Sequence, residues 1–241
     1  MHILLTDRLA CPRCGPEFGL ILLANEVRDR RVLEGDLGCP NCREIYPIRG
    51  GFGDLRPPPR APIPPLEAAG EEGGPWLGAG PEVSGGQPDE ALRLGALLGV
   101  TEGPGMLLLK GPVARLGKAL ADLIGQIEVV VMDPALRDAD EEEGVSRLTG
   151  QGRIPFYSGS FRGVALSGDP RGMDLEEACR VVAPLSRLVV LGAGPEMAGR
   201  VRALGLSILL EQDGVLAAGR DGPAVSPLIP LRGPQGPPTL P

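Results

Sequence analysis

The chain has 241 residues, a formal net charge of -7, and a hydrophobic content of 42% with only 3% aromatic residues. This length fits one or two domains of ordinary size, with a core built from Leu, Val, Ile and Ala. The acidic balance argues against direct nucleic-acid binding, which needs clustered Lys and Arg, and the sequence lacks an apolar run of about 18 residues for a membrane span.

The first predicted unit, residues 1–55, contains two Cys-x-x-Cys pairs and a strand-like stretch from Gly19 to Val27. Its N-terminus carries Asp7 and Arg8 where a signal peptide would need apolar residues. Closely paired cysteines in such a chain indicate metal ligands in a reducing compartment rather than disulfides. We therefore expect a cytoplasmic protein.

Two charged segments are predicted to be solvated. Arg28, Arg30 and Arg31 lie together after the strand-like stretch, where a turn between two ribbon strands is favoured over a basic binding patch. The acidic loop at residues 141–143 is likewise expected to face water.

Residues 56–88 are so rich in Pro and Gly that they predict a linker, because few apolar side chains are available to offset the ordering entropy. Trp76 within it leaves two interpretations open, an aromatic that docks onto a neighbouring domain or an exposed side chain without a role. Residues 222–241, again rich in Pro and Gly, predict a disordered tail.

The region 89–221 alternates helix and strand signals, which predicts a parallel sheet covered on both faces, a doubly wound α/β domain. In chain order we predict a helix at 89–98, a strand at 106–109, an amphipathic stretch at 113–124, strands at 127–132 and 163–166, a helix at 174–182, a strand at 188–191, a helix at 195–204, and a hairpin of 207–210 with 215–218.

The two cysteine pairs have the spacing of a structural zinc ribbon. Each Cys-x-x-Cys turn supplies two thiolates from one tight loop, and two such turns complete a closed tetrahedral site. We predict zinc held by Cys11, Cys14, Cys39 and Cys42, with iron or an unmetallated dithiol as the alternatives. A redox role is disfavoured because a thioredoxin-like site uses one such pair. Cys179 is predicted to be a core residue, and His2 is the only histidine.

The N-terminal residues resemble the Trm112 family of small zinc-ribbon proteins. The resemblance rests on Leu9-Ala10-Cys11-Pro12-Arg13-Cys14, on the second cysteine pair, and on Tyr46-Pro47-Ile48-Arg49-Gly50-Gly51, although Gly50 stands where the family has an acidic residue. It implies a protein that acts by docking onto a methyltransferase and stabilising it. The partner would then be a separate methyltransferase or the chain's own C-terminal domain.

The second unit resembles class I S-adenosylmethionine-dependent methyltransferases. The segments that carry the resemblance are residues 154–164 (IPFYSGSFRGV) and 174–191. It implies a Rossmann-like domain in which Gly111 and Asp133 would contact the methyl donor, Asp133 at the ribose hydroxyls.

The same resemblance breaks down at the glycine-rich turn of the family's cofactor site. Of the family's D-x-G-x-G-x-G only Gly111 is present, while Leu109 replaces the acidic residue and Val113 and Arg115 replace glycines; Arg162 replaces a further acidic residue. Glycine permits close approach of a cofactor to the backbone, so the side chains of Val113 and Arg115 should fill the space of the adenosyl group.

Three functions follow from these patterns. The favoured one is a zinc-binding scaffold with an inactive methyltransferase-like domain and no catalytic residue. The alternative is an active methyltransferase with an atypical pocket for S-adenosylmethionine, and the least favoured is a nucleic-acid-binding ribbon. We further hypothesise that the ribbon docks onto its own α/β domain.

Overall fold

The computed structural model describes residues 1–63, 87–168 and 173–222. Trp76, most of the predicted linker and all of the predicted tail after residue 222 therefore lie outside the described residues. The strands are β1 (Ala10–Cys11), β2 (Gly15–Gly19), β3 (Ile21–Arg28), β4 (Arg31–Gly38), β5 (Ile45–Arg49), β6 (Phe52–Leu55), β7 (Gly105–Lys110), β8 (Ile127–Met132), β9 (Val145–Gly150), β10 (Phe161–Ser167), β11 (Val182–Leu191), β12 (Ser207–Gln212) and β13 (Val215–Gly219). The helices are α1 (Gln87–Leu98), α2 (Gly117–Leu123), α3 (Met173–Val181) and α4 (Met197–Ala203).

Eleven of these strands form one sheet, in the order β12-β13-β11-β10-β7-β8-β9-β6-β5-β4-β3. Strands β9, β8, β7, β10 and β11 pair in parallel, while β13 is antiparallel to both β11 and β12. The order reverses between β7 and β10, where the chain turns from one half of the sheet to the other. This is a Rossmann-like sheet of the methyltransferase type with an antiparallel strand inserted near one edge, and the predicted α/β class is confirmed.

Helices cover both faces of the α/β sheet because successive strand residues point to opposite sides. Leu107, Leu109 and Val131 pack with the cluster that holds α1 and α2. Leu108 and Val130 face the opposite cluster, which includes α3 and α4. Both faces of these central strands are therefore buried, as their nearly uninterrupted apolar runs indicate.

The N-terminal β region joins the α/β half through direct strand pairing. Strand β6 pairs in parallel with β9, with Gly53 opposite Leu148 and Leu55 opposite Gly150. The antiparallel strands β5, β4 and β3 extend the sheet beyond β6. The N-terminal strands are therefore an extension of the α/β sheet at its β9 edge.

A second contact lies beside the β1 strand. The backbone N–H of Ala10 donates to the Pro155 carbonyl at 3.0 Å, the N–H of Tyr157 donates to the Arg8 carbonyl at 3.1 Å, and Leu9 forms a bridge with Phe156. One continuous core cluster contains buried residues of both halves, among them Leu37 and Leu148. In this structure the two halves share a sheet and a core, in agreement with the hypothesis of docking within the chain.

Candidate metal centre and cofactor edge

The four paired cysteines form one cluster between the two Cys-x-x-Cys turns, which we call the first knuckle (Cys11–Cys14) and the second knuckle (Cys39–Cys42). Their Sγ atoms all lie within 4.8 Å of one another. Two of these approaches cross between the knuckles, with the sulfurs of Cys11 and Cys42 at 3.7 Å and those of Cys14 and Cys39 at 3.8 Å. Cys11 and Cys39 are buried and the other two are partly buried.

The local backbone explains how each knuckle turns back on itself. The second knuckle is closed by two hydrogen bonds of 2.9 Å, from the Cys39 N–H to the Glu44 carbonyl and from the Arg43 N–H to the Cys39 carbonyl. In the first knuckle the N–H of Cys14 donates to the Cys11 sulfur at 3.4 Å. Gly15 follows it with φ of 106°, a conformation that glycine adopts without a steric penalty.

Further polar groups surround the sulfurs. The Tyr46 hydroxyl lies 3.5 Å from Cys11 Sγ, and the amide nitrogen of Asn41 lies 3.3 Å from Cys14 Sγ. Burial raises the pKa of Tyr46, so its hydroxyl keeps the proton it can donate. Arg60 lies over the Tyr46 ring, with its guanidinium carbon 5.4 Å from the centroid. These contacts favour negative charge on the sulfur atoms.

The donor set fits a tetrahedral thiophilic metal ion. Zn–S bonds of about 2.3 Å imply sulfur–sulfur edges of about 3.8 Å in a regular tetrahedron, which matches the Cys11–Cys42 and Cys14–Cys39 distances of 3.7 Å and 3.8 Å. Without a cation, burial raises the pKa of the Cys42 thiol to about 12. A bound divalent ion would offset the cost of ionising buried thiols, because it replaces their protons. All four positions of the tetrahedron would be filled by protein.

A charged cluster joins the two halves on the other side of the β6–β9 seam. Arg31 Nε donates to Glu141 Oε1 at 2.6 Å, and Arg147 Nη2 donates to Glu141 Oε2 at 3.0 Å. Arg31 also pairs with Glu128 at 3.3 Å. Burial alone would raise the pKa of Glu141, but the hydrogen bonds from the Met1 ammonium, Arg31 and Arg147 lower it. The prediction that Arg31 and Glu141 are solvated is therefore wrong.

The predicted cofactor residues come together at the carboxyl edge of the α/β sheet. Gly111 follows β7 and Asp133 follows β8, and these strands are neighbours with Lys110 opposite Met132. The Gly111 N–H donates to the Met132 carbonyl at 3.2 Å. The Asp133 side chain accepts from the Ala135 N–H at 2.9 Å and so caps a short 3₁₀ turn. Whether these residues contact a cofactor stays a prediction.

The turn after β7 is fastened to the end of β10, at the point where the strand order reverses. The Val113 N–H donates to Ser167 Oγ at 2.7 Å. Gly111 has φ of 83°, and a Cβ atom there would lie 2.9 Å from the Ser167 carbonyl oxygen. Lys110 and Asp174 form an ion pair of 3.2 Å that joins the end of β7 to the start of α3. The crevice in which open α/β sheets bind ligands is thus crossed by contacts within the protein.

The side chains of Val113 and Arg115, which were predicted to obstruct this crevice, point elsewhere, and so does that of Arg162. Val113 is 1% exposed and belongs to the core cluster beneath α1. Arg115 pairs with Glu90 of α1 at 2.7 Å. Arg162 lies at the opposite edge of the sheet, where it donates to the Glu102 and Pro104 carbonyls. The contacts of this turn with Ser167 were not indicated by the sequence pattern.

Two cavities in the described parts of the chain lie away from Gly111 and Asp133. One, of about 190 Å³, is lined by residues 193–195 and 211–215. The other, of about 1060 Å³, runs between the N-terminal β region and the amino edge of the α/β sheet, past His2, Arg8 and Gln126.

Cys179 lies in the core, as predicted. Burial raises the pKa of its thiol to about 11, so the thiol is protonated and unreactive at neutral pH.

The fold and the cysteine cluster together define a small cysteine ribbon joined to a methyltransferase-type α/β domain. In comparison with known families, residues 2–51 match the model of the Trm112p-like protein family. The N-terminal region is thus Trm112-like, and it covers about a fifth of the chain. A comparison with curated proteins gave no match.

Comparison with solved structures gave likenesses of low identity. A candidate S-adenosylmethionine-dependent methyltransferase from Methanococcus maripaludis is 14% identical, with 58% of this chain and 87% of that chain covered and a TM-score of 0.45. A complex of the Haloferax volcanii Trm112 methyltransferase activator with a candidate methyltransferase matches at 20% identity, 53% and 70% coverage, and a TM-score of 0.40. A candidate sarcosine dimethylglycine methyltransferase from Galdieria sulphuraria matches at 12% identity and a TM-score of 0.42, over 51% of this chain and 62% of its own length. Such likenesses carry no activity over to this chain.

None of the helices in the described ranges combines the length and apolar character that a membrane crossing requires.

Proposed function

We propose that this chain is a zinc-binding scaffold that acts by binding protein, and that its methyltransferase-like domain is inactive. The observation that carries the proposal is the hydrogen bond from the Val113 N–H to Ser167, together with the close approach of Gly111 to the Ser167 carbonyl. A methyl donor bound in the usual crevice needs a free backbone turn after the first strand. Here that turn already has a partner within the protein.

The role of the metal in this proposal is structural. Zinc is the proposed ion, because Cys11, Cys14, Cys39 and Cys42 supply a complete sulfur tetrahedron with no open position for a substrate. Ferrous or ferric iron would fit the same four sulfurs, so metal analysis must separate them. A cytoplasmic location belongs to the proposal, since four closely spaced thiols persist in a reducing compartment.

The first protein partner in this proposal is the chain's own α/β domain. Strand β6 occupies the β9 edge, and Glu141 ties that edge to Arg31. The ribbon therefore covers a strand edge that would otherwise expose unpaired backbone groups. A stabilising ribbon would act here within one chain, and the combined body would present its remaining surface to other proteins.

The alternative function, an active methyltransferase, is supported by two retained positions. Gly111 still follows β7, and Asp133 still follows the neighbouring strand with its side chain at the carboxyl edge. Binding would require the Val113–Ser167 hydrogen bond to break or the donor to take an atypical position. The two functions thus differ in one measurable property, which is affinity for the methyl donor.

Titration calorimetry of the full chain with S-adenosylmethionine tests the proposal. We expect no saturable heat up to millimolar donor. Saturable micromolar binding that Asp133→Asn weakens at least tenfold would establish the alternative function. A matched control is Asp138→Asn, because Asp138 is an exposed carboxylate on the following loop that pairs with Arg137; binding by wild type that neither variant changes would also overturn the proposal, with the donor seated elsewhere.

A further inference from the structure

The two edge strands of the ribbon differ in their partners. Strand β6 pairs with β9 of the α/β half, whereas β3, at the outer edge, ends the eleven-strand order and within the described ranges has β4 as its only strand partner. An edge strand carries backbone N–H and C=O groups that can pair with another strand. The ribbon already uses such pairing at β6, its opposite edge.

The first half of β3 has none of the usual protection of an edge strand. Natural edges carry charges, prolines or bulges that prevent further pairing. In β3 the charged residues Glu26 and Arg28 and the irregular register between Ala24 and Val27 are confined to the second half. The segment from Phe18 to Asn25 contains no charged side chain. This neutral half is where two copies of a chain with net charge -7 can approach with least repulsion.

The same half of β3 exposes large apolar side chains on one face. Leu22 lies opposite Leu37 and packs on the core, whereas Ile21 and Leu23 point outward and are 56% and 60% exposed. Gly38 of β4 pairs with Ile21 on one side and with Ile45 of β5 on the other, so Ile45 lies in register with Ile21. Ile45 is 55% exposed. Exposed apolar side chains next to a free strand edge are typical of an interaction surface.

The pattern of this segment is complementary to itself. If two copies pair in antiparallel fashion about an axis through Leu22, Ile21 of one copy faces Leu23 of the other. The pairing is confined to Ile21–Leu23, because the N–H of Leu20 already donates to the Leu9 carbonyl at 3.3 Å. The outward apolar side chains then meet on one face and the two Leu22 side chains on the other. An isologous pairing of this kind closes on itself, because each copy has one such edge.

We propose that the β3 edge is a homodimer interface in which Ile21–Leu23 pairs with the same segment of a second copy. The pairing would join two eleven-strand sheets through their ribbons. It does not depend on whether the α/β domain binds a methyl donor. The other end of the sheet is less suited to this role, because the register of β12 is interrupted at its centre, between Ile208 and Leu210.

Sedimentation velocity of the full chain over a range of concentrations is the primary test. We expect a reversible dimer, and Leu23→Glu should raise its dissociation constant at least tenfold by placing a carboxylate against apolar side chains. Leu209→Glu on β12 is the matched control, because Leu209 is similarly exposed at 55%, and it should leave the dimer intact. A wild-type monomer at about 100 μM, equal effects of both variants, or open-ended assembly would each overturn the proposal.

A charge-pair rescue tests the register. Ile21→Glu and Leu23→Lys should each weaken the dimer, and the double variant should recover affinity. In the double variant the introduced carboxylate of each copy would face the introduced ammonium group of the other, so the dimer would contain two such pairs. Failure of the double variant to bind better than either single variant would reject this register. Metal content and thermal unfolding of each variant show whether the chain remains folded.

Discussion

Arg31 of the ribbon and Glu141 of the α/β half form a 2.6 Å charged hydrogen bond between residues 110 positions apart in the chain. Arg31 is 8% exposed. The second oxygen of Glu141 accepts from Arg147 of β9 at 3.0 Å, so one carboxylate bridges two arginines on opposite sides of the β6–β9 seam. A Cβ atom on Gly51 would collide with this carboxylate, which shows how closely the backbone of the ribbon approaches Glu141.

Glu141→Gln should destabilise the whole chain. The amide keeps the shape of the side chain but removes the counter-ion that Arg147 and Arg31 share, so that Arg31 keeps only its pair with Glu128. Breaking a largely buried charge network of this kind is expected to cost about 3 kcal/mol. Urea unfolding at pH 7 measures the effect. The control is Glu142→Gln, because the neighbouring Glu142 is exposed; equal stabilities of the two variants would contradict a structural role for Glu141.

The pH dependence of stability should report the same carboxylate. Because the pKa of Glu141 is lowered in the folded state, its contribution is present above the unfolded pKa of about 4.3 and is lost as pH falls through the folded value. Wild type should therefore lose stability below about pH 4.5 more steeply than Glu141→Gln. Unfolding free energies measured between about pH 7 and pH 3 test this, and a constant difference between the two proteins across that range would argue against it.

The strands that the sequence predicted best are the buried ones. The predicted strand at 127–132 has the same bounds as β8, and β7 extends the predicted 106–109 by one residue at each end. Their side chains are apolar on both faces because helices cover both faces of the sheet. Such apolar runs can be recognised as strands from the local sequence, without knowing which distant residues pack against them.

Strand β9 was missed because its buried side chains are largely polar. Ser146, Arg147 and Thr149 are at most 4% exposed, yet their sequence reads as a continuation of the acidic loop. They are buried by the ribbon, whose Arg31 donates to the Val145 carbonyl and whose β6 pairs with β9. The cysteine cluster, in contrast, followed from spacing alone, since two short turns fix the donors locally.

Cys11→Ser should release the metal and also weaken the α/β half. Cys11 belongs to the same continuous core cluster as Leu148 of β9, so loss of the ribbon would expose the β9 edge. We expect metal analysis to fall well below one ion per chain, together with a lower unfolding temperature for the whole protein. Cys179→Ala should keep the metal, because Cys179 lies in α3 and outside the four-cysteine metal cluster. Full metal content in Cys11→Ser would show that the ligand assignment is wrong.

Tyr46→Phe should weaken metal binding without unfolding the ribbon. The Tyr46 ring is fully buried, and phenylalanine keeps its packing while removing the hydroxyl 3.5 Å from Cys11 Sγ. Loss of such a donor to a metal ligand is expected to lower affinity about tenfold. Competition with a chromogenic chelator measures the affinity, and Tyr157→Phe is the control because Tyr157 lies outside the four-cysteine cluster. If both variants retained wild-type affinity, the Tyr46 hydroxyl would have no part in holding the thiolate charge.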